Sequence, residues 1–442
     1  MLQLTGEKSR FCDGIDRRSF LNVGHLGLAG LYLPDVLSLR AACAAEQATD
    51  DRSVIFVELA GGPSQFETYD PKPNTPAEYR GEFGVVSTST PDVLFSELMV
   101  EQAKLMDKLS IVRSVHHSSN SHDPSSHLAQ TGYYKRGPKG GRSSADTMPC
   151  FGSVVAKVRG ANVSGLPAYV AIPQVMRNGH ASYLGKSYNP FETVADPNQP
   201  EFRIQNLAPA SGLTDVRLGD RGGLLSALDR RRRMLDLQGS STAIDRFRKQ
   251  SLEMVTGPRA RAAFNIKTES DTLRDKYGRH TTGQSLLMAR RLVEAGVTCV
   301  TVRVTGWDDH GQLARGLKER APAYDQGIAA LVRDLYDRGI DRQVLVVAMG
   351  EFGRTPRYNQ NAGRDHWGDV MSVLFAGGGL NPGIVGASNS KGELPTEAPY
   401  RPENVLAMIY RHLGIDPGLT FVDLAGRPRY VLEESGLITE LI

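Results

Sequence analysis

The chain has little cysteine, only a small net charge and no long hydrophobic run after its N-terminal segment. The four cysteines are Cys12, Cys43, Cys150 and Cys299. They are too few and too scattered for a disulfide scaffold or a zinc ribbon. A net charge of +3 over 442 residues gives no concentrated basic surface, so we expect no nucleic-acid partner. Without about 18 consecutive apolar residues, we expect no membrane-spanning helix. The 40% of hydrophobic residues is enough for one large or two ordinary domains.

Residues 1–46 have the order of an export signal. Arg17 and Arg18 precede a mildly apolar run over 23–39, and the small residues around Cys43 suit a signal peptidase. This order resembles a twin-arginine signal. We therefore predict export by the twin-arginine translocase to the periplasm or the extracellular space, with removal of the signal peptide. The alternatives are a chance arginine pair in a frayed terminus and a lipid anchor on Cys43.

The remaining residues, 47–442, alternate between strand-like and helix-like segments. Runs of β-branched and aromatic residues predict strands: 53–59, 109–115, 168–172, 297–305, 343–349 and 370–376. Amphipathic stretches predict helices: 283–295, 322–338 and 403–413. Strands that are apolar throughout and alternate with helices are typical of a sheet buried on both faces. The sequence therefore predicts an α/β fold with a central, mostly parallel sheet and helices on both faces.

The segment at about 212–282 differs from the rest of the chain. It contains few strand formers and an arginine run at 230–233. We predict helices that pack on one side of the sheet. We interpret the arginine run as a solvated helix face, and the alternative is a site for a polyanion.

Unusual polar residues collect where the predicted strands end. Four such segments follow strands, and a fifth precedes the strand at 370–376: 61–64, 116–127, 307–310, 350–354 and 363–367. The carboxyl ends of parallel strands open at one edge of the sheet, where ligands bind. We therefore expect these segments to meet in one place.

The histidines and carboxylates of these segments indicate a metal site. Imidazole with carboxylate suits Zn²⁺, Mn²⁺ or iron, whereas carboxylate with carbonyl and water suits Ca²⁺ or Mg²⁺. The predicted ligands are Asp308, His310, Glu351 and His366. Alternative ligands, or partners for the second nitrogen of a ligating imidazole, are His127, Asp309 and Asp365. The competing interpretation is that each segment is a polar turn with an incidental histidine.

The sequence also contains candidate residues for binding an anion and for catalysis. Gly61 and Gly62 end the first predicted strand, where glycine lets the backbone approach a ligand, so they are predicted to bind an anion together with Arg354. A plain tight turn is the alternative. The candidate catalytic residues are His122, Ser64 and Ser125. An imidazole can ligate a metal, accept a proton or form a phosphohistidine.

Two of these segments resemble the sulfatases. The stretch 123–134 is similar to the sulfatase signature, with matching spacing over 124–132. The stretch 348–353 is similar to a strand end of that superfamily, with Glu351 at the position of an aspartate. His122 falls where the sulfatase nucleophile, a Cys or Ser, is expected. The resemblance therefore does not imply formylglycine chemistry.

Residues 47–442 as a whole resemble an exported bacterial family called domain of unknown function 1501, taken to be a remote branch of the alkaline phosphatase and sulfatase superfamily. Its marks here are Gly-Gly-Pro-Ser, Trp-Asp-x-His, Gly-Glu-Phe-Gly-Arg-Thr-Pro and Gly-Arg-Asp-His-Trp. The resemblance implies an alkaline-phosphatase-like domain and a divalent metal, Zn, Mn or Ca. It also implies hydrolysis of phosphate or sulfate esters in small molecules or polysaccharides. The alternatives are a non-catalytic envelope or glycan-binding protein on a degenerate hydrolase scaffold, and a docking partner of other exported proteins.

Overall fold

The computed structural model describes residues 51–134, 148–204 and 257–442. The predicted export signal at 1–46 and the arginine run at 230–233 lie outside these residues. No helix in the described ranges is both long and apolar enough to cross a membrane.

An eight-stranded sheet forms the centre of this part of the chain. Its strands are β1 (Ser53–Leu59), β2 (Leu109–Val115), β3 (Tyr169–Ile172), β4 (Phe191–Glu192), β5 (Cys299–Val304), β6 (Val344–Met349), β7 (Met371–Gly377) and β8 (Gly383–Val385). Their order across the sheet is β8-β2-β7-β6-β1-β5-β3-β4. Only β7 runs antiparallel to its neighbours, β2 and β6, and the other pairs are parallel. This confirms the predicted α/β fold class and the mostly parallel sheet.

Helices cover both faces of the sheet. They are α1 (His122–Thr131), α2 (Phe151–Val158), α3 (Thr281–Ala295), α4 (Leu313–Asp337) and α5 (Pro402–Leu413). Alternate residues of β1 join two separate cores: Ile55 and Val57 pack with α3 and α4, whereas Val54 and Phe56 pack with α2 and α5. Because successive residues of a strand point to opposite faces, a strand that is apolar throughout needs cover on both sides.

Shorter elements surround this framework. The short helices are Ala77–Arg80, Val100–Ala103, Pro258–Phe264 and Asp271–Tyr277. The two-residue and three-residue strands pair as Val85–Ser87 with Leu94–Ser96, Gly353–Arg354 with His366–Trp367, Ala387–Ser388 with Pro395–Glu397, and Thr420–Val422 with Pro428–Tyr430. Residues from Pro258–Phe264 and Asp271–Tyr277 bury in the same core as α3 and α4. The described part of 212–282 is therefore helical on that face.

Helix α4 differs from its predicted bounds. The sequence predicts a helix from Pro322 to Arg338. In the structure the helix begins at Leu313, and Pro322 lies inside it. An internal proline removes one backbone hydrogen bond. The buried face of α4, which includes Leu317, Tyr324 and Ile328, offsets that cost.

The reversed direction of β7 brings its preceding segment to the functional edge. Met371, at the start of β7, pairs with Val115 at the end of β2. The start of an antiparallel strand therefore lies where the parallel strands end. For this reason the segment that contains His366, which precedes β7, meets segments that follow β1, β5 and β6.

Candidate metal centre

Asp308 lies where the ends of β1 and β5 come together. The neighbouring Trp307 is 1% exposed, and its backbone N–H donates to the carbonyl of Ala60 at 3.2 Å. Gly61 has φ +114°, and a Cβ on this residue would lie 2.5 Å from the backbone nitrogen of Asp308. Glycine is therefore required at position 61, because a side chain would push Asp308 out of place.

Two imidazoles point their Nε2 atoms at the Asp308 carboxylate. His366 Nε2 lies 3.0 Å and His310 Nε2 lies 3.1 Å from Asp308 Oδ1. The two Nε2 atoms are 2.8 Å apart. The side chain of Phe352 stacks on His366, with ring centroids 4.3 Å apart, and so fixes the plane of that imidazole. Asp308 Oδ1, His310 Nε2 and His366 Nε2 are thus three potential ligand atoms that lie within 3.1 Å of one another.

The outer nitrogen of each of these imidazoles faces an acceptor. His310 Nδ1 lies 2.6 Å from Asp365 Oδ1, and His366 Nδ1 lies 2.9 Å from the carbonyl of Asn120. A carboxylate or a carbonyl only accepts, so each Nδ1 carries the proton. In the neutral imidazoles both Nε2 lone pairs then face each other and the Asp308 carboxylate. Only a cation between them, a proton or a metal ion, makes that arrangement favourable.

His122 joins the cluster from the first turn of α1. Its Nε2 lies 3.1 Å from Asp308 Oδ2, and its Nδ1 lies 2.7 Å from Glu351 Oε1. One ligand atom each from His122, Asp308 and His366 lies within 4.8 Å of the other two. The Asp308 carboxylate therefore presents one oxygen to His310 and His366 and the other to His122.

Glu351 reaches the cluster through His122. The backbone N–H of Gly61 donates to both carboxylate oxygens of Glu351, at 3.1 Å each. His117 Nε2 lies 2.7 Å from the Glu351 carbonyl, while His117 Nδ1 accepts from the Ser119 N–H at 3.2 Å. These contacts fix Glu351 at the end of β6, where it anchors His122.

The charges of the cluster favour a bound cation. Burial raises the pKa of the Asp308 carboxyl, but its contacts with Arg354 and His366 outweigh burial and hold that pKa well below its usual range. The hydrogen bond to Glu351 raises the pKa of His122 above its ordinary value. Burial lowers the pKa of His366. Asp308 is therefore an anion at neutral pH beside an imidazole that resists protonation.

The residues predicted to bind an anion lie beneath the cluster. The N–H of Gly61 donates to Glu351, and Gly62 packs so closely that a Cβ would lie 2.5 Å from the Phe352 ring. Arg354 is 1% exposed, and all three of its side-chain nitrogens donate to protein acceptors. Gly61, Gly62 and Arg354 therefore all make contacts with other residues of the protein.

The two candidate serines are buried. Ser64 is 3% exposed, and its hydroxyl makes no hydrogen bond within the described part of the chain. Ser125 donates to Ser119 Oγ at 2.9 Å, which ties the first turn of α1 to the preceding loop.

His127 and Asp309 have partners of their own. His127 is fully buried, with Nδ1 2.7 Å from the Tyr133 carbonyl, and its Nε2 accepts from the Met148 N–H at 3.0 Å. Asp309 forms an ion pair with Arg320. Burial raises the pKa of Asp309, and the Arg320 guanidinium opposes that shift.

Two supporting residues escaped the sequence interpretation. Asn120 contacts His366 through its backbone carbonyl, and its side chain accepts from the Gly368 N–H at 2.6 Å. Asn359 donates to Asp365 Oδ1 at 3.2 Å. A backbone carbonyl carries no sequence signal. Asn120 nevertheless lies within the predicted segment 116–127.

The fold and this cluster define an α/β protein with a His/Asp group suited to a metal ion at the carboxyl edge of its central sheet. The chain belongs to the family described as "Protein of unknown function (DUF1501)", whose sequence profile matches residues 51–442. The family resemblance inferred from the sequence motifs is therefore confirmed. No curated protein matches the chain.

Several solved structures resemble the chain in fold. The protein Ps i-CgsB has a TM-score of 0.41 at 10% identity, covering 83% of this chain and 72% of that chain. A sulfatase from Pseudoalteromonas sp. has a TM-score of 0.39 at 10% identity, and the match covers 83% of this chain and 68% of the sulfatase. A phosphonate monoester hydrolase from Silicibacter pomeroyi has a TM-score of 0.34 at 14% identity, and the match covers 83% of this chain and 74% of the hydrolase.

Proposed function

We propose that this protein is an exported, metal-dependent hydrolase of phosphate or sulfate esters. The observation that supports it is the convergence of three imidazole Nε2 atoms on the Asp308 carboxylate. Each of these imidazoles has its Nδ1 against an acceptor: Glu351 for His122, Asp365 for His310 and the Asn120 carbonyl for His366. Outer acceptors of this kind orient the ligating histidines of metalloproteins.

The donor set decides which ion fits. Imidazole nitrogens from His310 and His366 with a carboxylate oxygen from Asp308 suit Zn²⁺ or Mn²⁺. Ca²⁺ prefers oxygen ligands throughout and is disfavoured here. We propose that these three residues would hold the ion. When bound, such an ion would polarise an ester oxygen and lower the pKa of a nearby water.

The pair of His122 and Glu351 supplies a proton-transfer group beside that ion. Glu351 accepts from Nδ1 of His122 and thereby fixes the ring, while Nε2 faces the cluster. A histidine that is oriented by a carboxylate in this way can give a proton to a leaving alcohol or take one from water. The ester is proposed to belong to a small molecule or a polysaccharide.

A second candidate function is binding of an envelope glycan without hydrolysis. It is favoured by the burial of Ser64 and Ser125 and by the imidazole of His122 at the position of the sulfatase nucleophile. Such a site would hold a sulfated or phosphorylated glycan and leave its ester intact.

Hydrolysis of chromogenic phosphate and sulfate esters by the metal-loaded protein tests the proposal. We expect turnover that chelation abolishes and that Zn²⁺ or Mn²⁺ restores. The variants His122→Gln and Glu351→Gln should retain the metal and lose about two to four orders of magnitude in rate. The variant His180→Ala, at an exposed histidine, is the control and should match the wild type. Inertness of the metal-loaded wild type toward both ester classes would favour the glycan-binding function.

Export is tested separately from catalysis. Replacement of Arg17 and Arg18 by lysine should leave the precursor in the cytoplasm, because the arginine pair is the recognition element of the twin-arginine route. Secretion that is unchanged by this replacement would contradict that route.

A further inference from the structure

Arg354 contacts three of the segments that meet at Asp308. Its backbone pairs directly with His366 in the short antiparallel ladder after β6. Its side chain is 1% exposed, so solvent and substrate do not reach it. The guanidinium donates to Gly62 O at 2.8 Å, Arg364 O at 2.9 Å, Trp307 O at 2.9 Å, Asp308 Oδ1 at 2.7 Å and Gly61 O.

These contacts join three stretches that are far apart in sequence. Gly61 and Gly62 follow β1, and Trp307 and Asp308 follow β5. The third stretch begins at Arg364, two residues before His366. Each stretch is a loop whose carbonyl groups would otherwise have to find donors in a buried position. One planar group with donors in three directions satisfies all of them, which an ammonium group on a flexible stem cannot do.

The contact with Asp308 also sets the direction of its carboxylate. Arg354 Nη2 occupies one side of Oδ1, and the remaining directions of the two oxygens face the histidines. A carboxylate held in this way loses little freedom when it binds an ion, so the ion binds more tightly.

We infer that Arg354 is a positioning residue that assembles the metal site before the ion binds. The inference rests on the proposed function, since it assigns Arg354 to the same site. It also replaces the anion-binding role predicted from the sequence with a different one, because a buried guanidinium with these partners does not meet a substrate.

Titration with Co²⁺ tests the inference, since both affinity and the visible spectrum report on the ligands. Arg354→Lys should bind Co²⁺ about 10- to 100-fold more weakly and with an altered spectrum. The control is Arg290→Lys, at an equally buried arginine that pairs with Glu269 and Glu294, and it should keep the wild-type affinity and spectrum. A wild-type spectrum and affinity in Arg354→Lys would overturn the inference.

A second measurement uses the wild type and needs no variant. In the metal-free protein, the backbone amides of 61–62, 307–308 and 364–366 should already be protected from hydrogen exchange. Protection that arises only after an ion is added would overturn the inference. The proposed function fails separately, if the wild type binds neither Co²⁺ nor Zn²⁺.

Discussion

His310 and His366 face each other through their Nε2 atoms at 2.8 Å, although His310 follows β5 and His366 precedes β7. Their Nδ1 atoms point outward, to Asp365 and to the carbonyl of Asn120. Two imidazoles with outward protons and inward lone pairs repel each other unless a cation lies between them. This pair is therefore the main structural support for the proposed metal site.

Removal of the outer partner of His310 should weaken the metal site without unfolding the protein. In Asp365→Ala the His310 ring loses the acceptor for Nδ1, so metal affinity should fall about 10- to 100-fold. Asp365 is exposed, and its loss should leave the free energy of unfolding nearly unchanged. Competition with a chromophoric chelator measures the affinity. Asp337→Ala, an exposed carboxylate at the end of α4, is the control, and equal affinities in the two variants would refute the role of Asp365.

Replacement of Gly61 should disturb both the fold and the site. The Cβ of Gly61→Ala would lie 2.5 Å from the backbone nitrogen of Asp308, so the Trp307–Asp308 loop must move, at a cost of roughly 1–3 kcal/mol beyond backbone strain. Gly160 also has a positive φ, +71°, but open space around its Cβ position. Gly160→Ala should therefore cost only strain, about 1 kcal/mol, and leave metal affinity intact. Urea unfolding and metal titration of both variants measure the difference.

The fold follows from the sequence more directly than the site does. Strands β1, β5 and β6 are apolar throughout and bounded by turn residues, which is enough to predict a buried parallel sheet. That rule also places Asp308 at the functional edge. The direction of β7 has no signal in its own residues, because an apolar strand reads the same in either direction.

The partners within the site depend on packing that spacing does not encode. Glu351 is a ligand predicted from the sequence, and the structure shows its carboxylate in contact with His122 and the Gly61 N–H. Arg354 is predicted from the sequence to bind an anion together with Gly61 and Gly62. Its burial arises from loops that follow β1 and β5, so only their three-dimensional arrangement shows its partners.

Stability should depend on pH through Glu58, a buried carboxyl on β1. Gln130 donates to its Oε1 at 3.3 Å, and Arg303 Nε lies 3.1 Å from its Oε2. Burial raises the pKa of Glu58 from 4.5 to about 8. The folded state therefore holds a proton that the unfolded state releases between these pH values, so the contribution of Glu58 to stability is fully present below pH 4.5 and is lost as pH rises toward 8.

The variant Glu58→Gln removes this titration. The difference in unfolding free energy, wild type minus variant, should decline with pH between about 4.5 and 8 and level off above. The slope is at most about 1.4 kcal/mol per pH unit. Parallel pH curves for the two proteins in urea unfolding would show that Glu58 titrates normally in the folded state.

Metal content tests the central claim most directly. Protein purified without chelators, or reconstituted with Zn²⁺ or Mn²⁺ and freed of excess ion, should retain about one transition-metal ion per chain by elemental analysis. His310→Ala and His366→Ala should each lose it while they remain folded, and His180→Ala should retain it. A folded wild type that holds no stoichiometric metal after reconstitution would contradict the account, as would full metal occupancy in His310→Ala and His366→Ala.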